Sequence, residues 1–308
     1  MTEPDRGPPS PGRGAGRRLV LAMIAVGLAA SACGAGSSPS QPALPSASQP
    51  AVSPPGPSAS GSPASSTAPG RSGRGADPGR RAPAGSARPL AGKIVGIDPG
   101  HNGGNFADAS YIGHQVWNGR EWEACDTTGT ETDAGYTEAQ FTFDVARYLR
   151  ADLRRDGATV VMTRSGNDGV GPCVDRRSEI INAAHANVAV DIHGDGGPAS
   201  GRGFTILEPV ADGPNDAVIA ASARLGSNVR QAFLADVPAM PESTYNGDQG
   251  IMLRDDLAGL NLTTVPKVLV ECGNMRNATD ARMLVSASFP QQVARALAAA
   301  IIVFLRPG

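Results

Sequence analysis

Three short apolar runs, each stopping on a residue that can do chemistry, constrain this chain more than anything else in it. They are Ile94-Val95-Gly96-Ile97-Asp98-Pro99-Gly100-His101, Val188-Ala189-Val190-Asp191-Ile192-His193 and Lys267-Val268-Leu269-Val270-Glu271-Cys272-Gly273. Short β-branched runs bounded by Gly and Pro read as buried strands, and strands buried on both faces belong to parallel sheets covered by helices. Open α/β sheets place their ligands outside the carboxyl ends of the strands, which is where His101, His193 and Glu271 fall.

Elsewhere the apolar period lengthens. Phe141, Val145, Leu149 and Leu153 recur every four residues and predict a helix over 138–155, with Thr137 and Gln140 reading as a capping box. Further helices are expected over 176–186, 216–234, 279–286 and 290–304, the last with Pro290 suited to a first turn. Strands are expected over 93–98, 158–163, 188–193, 204–208, 251–254 and 267–272. This alternation predicts an α/β fold over 90–308: a single domain with a mostly parallel (mixed) sheet flanked by helices on both faces.

The segment ahead of that domain is of another kind. Arg13, Arg17 and Arg18 precede an apolar run from Leu19 to Ala30, followed by Ser31-Ala32-Cys33-Gly34. The pattern reads as a secretory signal over 1–33. Its run falls short of the ~20 residues of a membrane span, and small residues before a cysteine suit acylation of Cys33. Residues 34–89 are mostly Ser, Pro, Ala and Gly, which predicts a disordered tether with a typical span of about 40 Å. The expected location is the cell envelope, lipid-anchored outside the cytoplasmic membrane or, without acylation, secreted. The first 89 residues carry nine Arg and three acids, so the overall charge of −2 leaves −8 on the domain. An acidic domain repels phosphate backbones, which argues against a nucleic-acid partner.

The chain has four histidines. His185, in Ile-Ile-Asn-Ala-Ala-His-Ala, reads as a helix-surface or packing residue, and His114 falls in a polar, glycine-rich insertion. His101 and His193 end strands. Glu138, in the first turn of its helix, can bring a carboxylate to the same edge, although a carboxylate there also suits the helix dipole. Two imidazoles and a carboxylate form a zinc donor set that leaves the fourth position for water, whose pKa zinc lowers to about 7. The chain has no His-Glu-x-x-His helix and no Gly-x-Ser-x-Gly elbow. The glycines after Asp98 lack the Gly-Lys-Ser/Thr ending of a phosphate loop.

In this order the residues resemble the zinc-dependent N-acetylmuramoyl-L-alanine amidases of bacterial cell walls. The markers are Asp98-Pro99-Gly100-His101, Glu138 with Phe141-Thr142-Phe143-Asp144-Val145-Ala146, Met162-Thr163-Arg164, Arg177 to Asn182, Ile192-His193, and Val268 to Gly273 leading to Asn277. The resemblance covers residues 92–306. It implies one Zn2+ ion held by His101, Glu138 and His193, with Glu271 as the catalytic carboxylate. The implied substrate is peptidoglycan or muropeptide, cut between N-acetylmuramic acid and L-alanine. The chain departs from the usual pattern at Thr142, Asp191 and Cys272-Gly273-Asn274, none of which removes a ligand. Asp191 lies two residues from His193 and faces the same side, where it either orients that ring or is a satisfied buried carboxylate. The alternatives are an inactive peptidoglycan-binding regulator on the same fold, which has no need of Glu271, and another zinc peptidase acting on cell-wall peptides. A monomer is expected, meeting the membrane only through its N-terminal anchor.

Of the four cysteines, Cys33 is the expected acylation site and Cys272 lies in a predicted interior strand, on the side opposite Glu271. That leaves Cys125 to pair with Cys173 in an exported chain. Residues 102–135 form a long polar insertion between two of the implied ligands. With Tyr111, Trp117, Trp122 and Cys125 it is expected to be ordered, either as a rim or partial lid over the metal or as a flap covering core.

Overall fold

A computed structural model of the chain describes residues 88–306; the expected signal segment, Cys33 and the linker up to residue 87 lie outside the described residues. In chain order the elements begin with β1 (Ile94–Pro99), α1 (Ala109–Gly113), β2 (Gln115–Trp117), β3 (Trp122–Ala124), α2 (Glu138–Arg155) and β4 (Thr159–Met162). They continue with α3 (Val174–Ala183), β5 (Val188–Asp195), β6 (Thr205–Pro209), α4 (Ile219–Asp236), β7 (Ile251–Arg254) and α5 (Ala258–Asn261). The last are β8 (Lys267–Asn274), α6 (Ala278–Leu284) and α7 (Phe289–Leu305).

Six strands form one sheet in the order β4-β1-β5-β8-β6-β7. β4, β1, β5 and β8 run parallel, while β6 is antiparallel to β8 and parallel to β7, so the sheet is mixed, as expected. Strand alternation sorts the side chains onto two unlike faces. Val95, Ile97, Val188, Val190, Ile192, Val268, Val270 and Cys272 point into the large core under α2, α4 and α7. Ala189 and Leu269 face the other way, into two smaller clusters with Ile181 of α3 and Leu260 of α5. Asp98, Asp191, His193, Lys267 and Glu271 share the parity of that second face. The thick core thus backs the sheet, and these five polar residues of the three central strands emerge on the thin side.

The long elements fall where the apolar periods put them, and α2 spans the predicted residues. Two local expectations need correction. The third helix starts two residues early and ends at Ala183, because His185 has turned into a left-handed conformation at φ 50° and stands exposed. The capping box is half formed: Thr137 Oγ1 accepts from Gln140 N at 3.3 Å, but the Gln140 side chain donates to Asp144. The insertion contains α1 and the β2–β3 hairpin, elements too short to leave a periodic signal. Cys125 is bonded to Cys173, as expected, and Cys272 is free and buried.

Two stability predictions arise here. The Cys125–Cys173 link spans 48 residues, for which loop-closure entropy gives about 4 kcal/mol. The Cys125→Ser/Cys173→Ser pair should lower the urea midpoint accordingly. Glu208 on β6 lies against Gly226 of α4, so close that any side chain at 226 would collide with it. Burial pushes its pKa from 4.5 up to about 7. A carboxyl raised on folding favours the native state most below its unfolded pKa, and that contribution is lost as pH climbs to about 7. Glu208→Gln should therefore flatten the pH dependence of stability between those values, with a relative gain at pH 8 on the order of 2 kcal/mol after a discount for solvent screening of this carboxyl. Chemical denaturation at the two pH values reads the difference.

Candidate metal centre

The strand ends meet as the sequence implies. His101 follows β1, and α2 opens on Glu138 behind the capping Thr137, so the helix delivers its first carboxylate over the carboxyl edge of the sheet. Glu138 Oε1 lies 2.8 Å from His193 Nδ1 and accepts from Gly194 N; Oε2 accepts from Thr130 N at 2.9 Å and lies 3.8 Å from His101 Nε2. The two imidazoles are edge to face, 5.0 Å apart. One donor atom each from His101, Glu138 and His193 lies within 4.8 Å of the others. Two imidazoles and a carboxylate at that spacing fit a zinc donor set. Two glycines make the approach feasible. A side chain at Gly100 would strike the His193 ring, and a Cβ at Gly129, whose φ is +71°, would lie 2.7 Å from Glu138 Oε2 and 2.8 Å from His101.

Glu271 sits directly across the β5–β8 ladder from His193. Its Oε2 is buried with no hydrogen-bond partner among the described residues. Burial pushes its pKa up to about 8; His193 opposes that, and the carboxylates of Glu138, Asp195 and Asp191 add to it. Glu138 behaves in the opposite way. Burial would raise it too, but His101 and His193 hold it at about 2.

Beneath the donor atoms runs a circuit of buried charge of which the residue-type reading placed only Asp191. Asp126 binds Nδ1 of His101; Arg177 joins Asp126 at 3.3 Å to Asp98 at 2.9 Å. Lys267 joins Asp98 at 2.7 Å to Asp191 at 3.1 Å, and Asp191 Oδ1 ends the circuit 3.2 Å from His193 Nε2. Burial would raise Asp98, but Lys267 and Arg177 outweigh it and hold the carboxyl far below its usual range. Asp191 therefore both touches the His193 ring and is a satisfied buried carboxylate. Both imidazoles have one nitrogen tied to a carboxylate and the other turned to Glu138, the arrangement that orients metal-binding histidines. Arg164 braces the same turn, donating to Pro99 O at 2.7 Å and Ala139 O at 2.8 Å. The available signal was Asp98, Asp191 and Lys267 inside apolar strands, where a charge must find a partner. Asp126 lay in the insertion with nothing to mark it.

Two hollows adjoin the donors. A groove of about 810 Å³ runs past Asn102, Gly129, Thr130, Gly196 and Arg276, with Phe106 exposed at its side. A smaller cavity of about 170 Å³ is bounded by His101 and His193, by Leu257 and Leu269, and by Glu123 and Ala124 of the hairpin. The insertion therefore walls one side of the site. His114 and His185 stay outside it, both exposed.

Residues 95–303 match the Amidase_3 family, described as N-acetylmuramoyl-L-alanine amidase. The chain is 41% identical over 223 residues to N-acetylmuramoyl-L-alanine amidase Rv3717 of Mycobacterium tuberculosis, covering 70% of this chain and 88% of that protein. Among solved structures, the N-acetylmuramyl-L-alanine amidase Ami1 of Mycobacterium smegmatis superposes with a TM-score of 0.66 at 40% identity, over 70% of this chain and 98% of the other. The apo form of Ami1 from Mycobacterium abscessus gives 0.66 at 41%, over 70% and 100%. With a family match from the second residue of β1 almost to the end of α7, and relatives this similar over nearly their whole length, the chain belongs to the N-acetylmuramoyl-L-alanine amidase family.

Proposed function

We propose that this chain hydrolyses the amide between N-acetylmuramic acid and L-alanine in peptidoglycan, with His101, Glu138 and His193 holding one Zn2+ ion and Glu271 moving the proton. The observation that carries the assignment is the buried, unpartnered Glu271 Oε2, directly across the ladder from His193 and beside a three-residue donor set. Bound zinc supplies Lewis acidity, lowering the pKa of water and polarising the scissile carbonyl. Glu271 accepts a proton from the attacking water and returns it to the leaving nitrogen, so no covalent nucleophile is needed. Asp126 and Asp191 fix the two rings so that His101 Nε2 and His193 Nδ1 face Glu138.

The long groove receives the extended substrate and the hairpin forms a rim on the other side of the donors. The chain works as a monomer in the cell envelope, tethered through Cys33. A regulator that only binds wall would have no use for a desolvated carboxylate beside the donor set. Digestion of purified muropeptides, with and without chelator and read by mass spectrometry, tests the reading. New L-alanine amino termini beside intact disaccharides, lost on chelation and regained with zinc, are expected. Cleavage within the peptide would make the chain a zinc peptidase, and binding without cleavage would make it a regulator.

A further inference from the structure

The only two tryptophans of the chain, Trp117 and Trp122, stand opposite each other on the β2–β3 hairpin. Their rings are edge to face with centroids 5.6 Å apart, and they are 45% and 65% exposed. Leaving two such side chains half in water forgoes about half of their burial free energy, and an adjoining exposed pair marks a contact surface. The hairpin behind them is firmly held. Val116 and Asn118 are buried, Cys125 at its foot is bonded to Cys173, and Asn118 Oδ1 caps the turn by accepting from Arg120 N and Glu121 N. Arg120 pairs with Asp255 at 2.7 Å, Asn118 donates to Asp256 O, and Glu123 accepts from Ala258 N at 3.0 Å. The back of the hairpin is thus pinned to the loop before α5, and only the aromatic front is unpartnered.

We propose that Trp117 and Trp122 form a binding platform for uncharged amino-sugar rings of a glycan strand. Pyranoses present flat CH faces with polar edges, the complement of an indole pair that is apolar on its faces and carries an N–H donor. The platform is continuous with the candidate centre, because Glu123 and Ala124 of the same hairpin bound the cavity at His101 and His193. A polymer whose amide lies at the donors passes this rim. Charge favours a neutral partner: Arg120 beside the pair is already matched by Asp255, and a domain of charge −8 is repelled by anionic lipid headgroups. The choice of glycan rests on the amidase reading, but the contact itself is testable apart from it.

Because no other tryptophan exists, indole emission of the full-length, zinc-loaded protein reports on this pair alone. The probe is the β-1,4-linked hexamer of N-acetylglucosamine, which has no lactyl amide and cannot be cleaved there. A saturable emission change is expected, its affinity weakened roughly tenfold in Trp122→Ala and restored in Trp122→Tyr, since the few residues that dominate an interface are enriched in tryptophan and tyrosine. Trp117→Ala/Trp122→Ala should raise KM on peptide-bearing glycan strands and leave kcat on a single-sugar muramoyl peptide unchanged. An unaltered emission with the hexamer overturns the proposal even if muropeptides are hydrolysed. Binding without any hydrolysis keeps the platform and removes the amidase reading instead. A shift produced only by phosphatidylglycerol vesicles, or only by raising protein concentration, overturns it in favour of a membrane or a second copy.

Discussion

Glu271→Gln is expected to lower turnover on muropeptides by about 10²- to 10⁴-fold, the usual worth of a positioned proton carrier, while zinc content stays at the wild-type level. The substitution keeps shape and removes the acceptor, and Glu271 is outside the donor set formed by His101, Glu138 and His193. His193→Ala should lose zinc and activity together, because it removes a donor and strips Glu138 and Asp191 of a shared partner. Metal analysis beside initial rates separates the two roles. Near-normal turnover in Glu271→Gln would end the mechanism given above.

Lys267→Met should be the most damaging single change for stability. Its ammonium is 1% exposed and lies between two carboxylates, 2.7 Å from Asp98 and 3.1 Å from Asp191. Methionine fills the space but leaves those carboxylates short of a cation, and breaking a buried ion pair from one side costs roughly 3–5 kcal/mol. Adding Asp98→Asn removes one of the stranded charges and should recover part of the loss. Since Asp191 also holds His193, zinc affinity should fall in the single variant even where the protein remains folded. A urea midpoint within experimental scatter of wild type would show that the circuit contributes nothing.

Much of this was legible in the sequence because strand ends and helix starts are local events. The run ending at His193 and the four-residue period from Phe141 to Leu153 announced their elements, and Glu138 was placed by the cap beside it. The circuit was not legible in the same way. Asp126, Arg177 and Lys267 acquire meaning only when β1, the insertion, α3 and β8 are brought together, and no period links their positions. The hairpin escaped because strands of three residues carry no pattern, although its aromatics and cysteine pointed to order. Where the third helix stops was set by a single left-handed residue, His185, in an otherwise helical stretch.

The charge circuit also bears on when the chain can become dangerous to a wall. Synthesis delivers Asp98, Asp126 and Asp191 early, whereas Lys267 arrives 169 residues after Asp98. Until then Asp191 has no ammonium to meet it. Docking of β8 brings the cation and Glu271 in the same stroke, four residues apart on one strand face. A chain interrupted before that strand would carry both histidines and Glu138 but not the carboxylate proposed to move the proton. On the proposed mechanism, completion of β8 is therefore a precondition of the cut, and a shorter fragment would lack it.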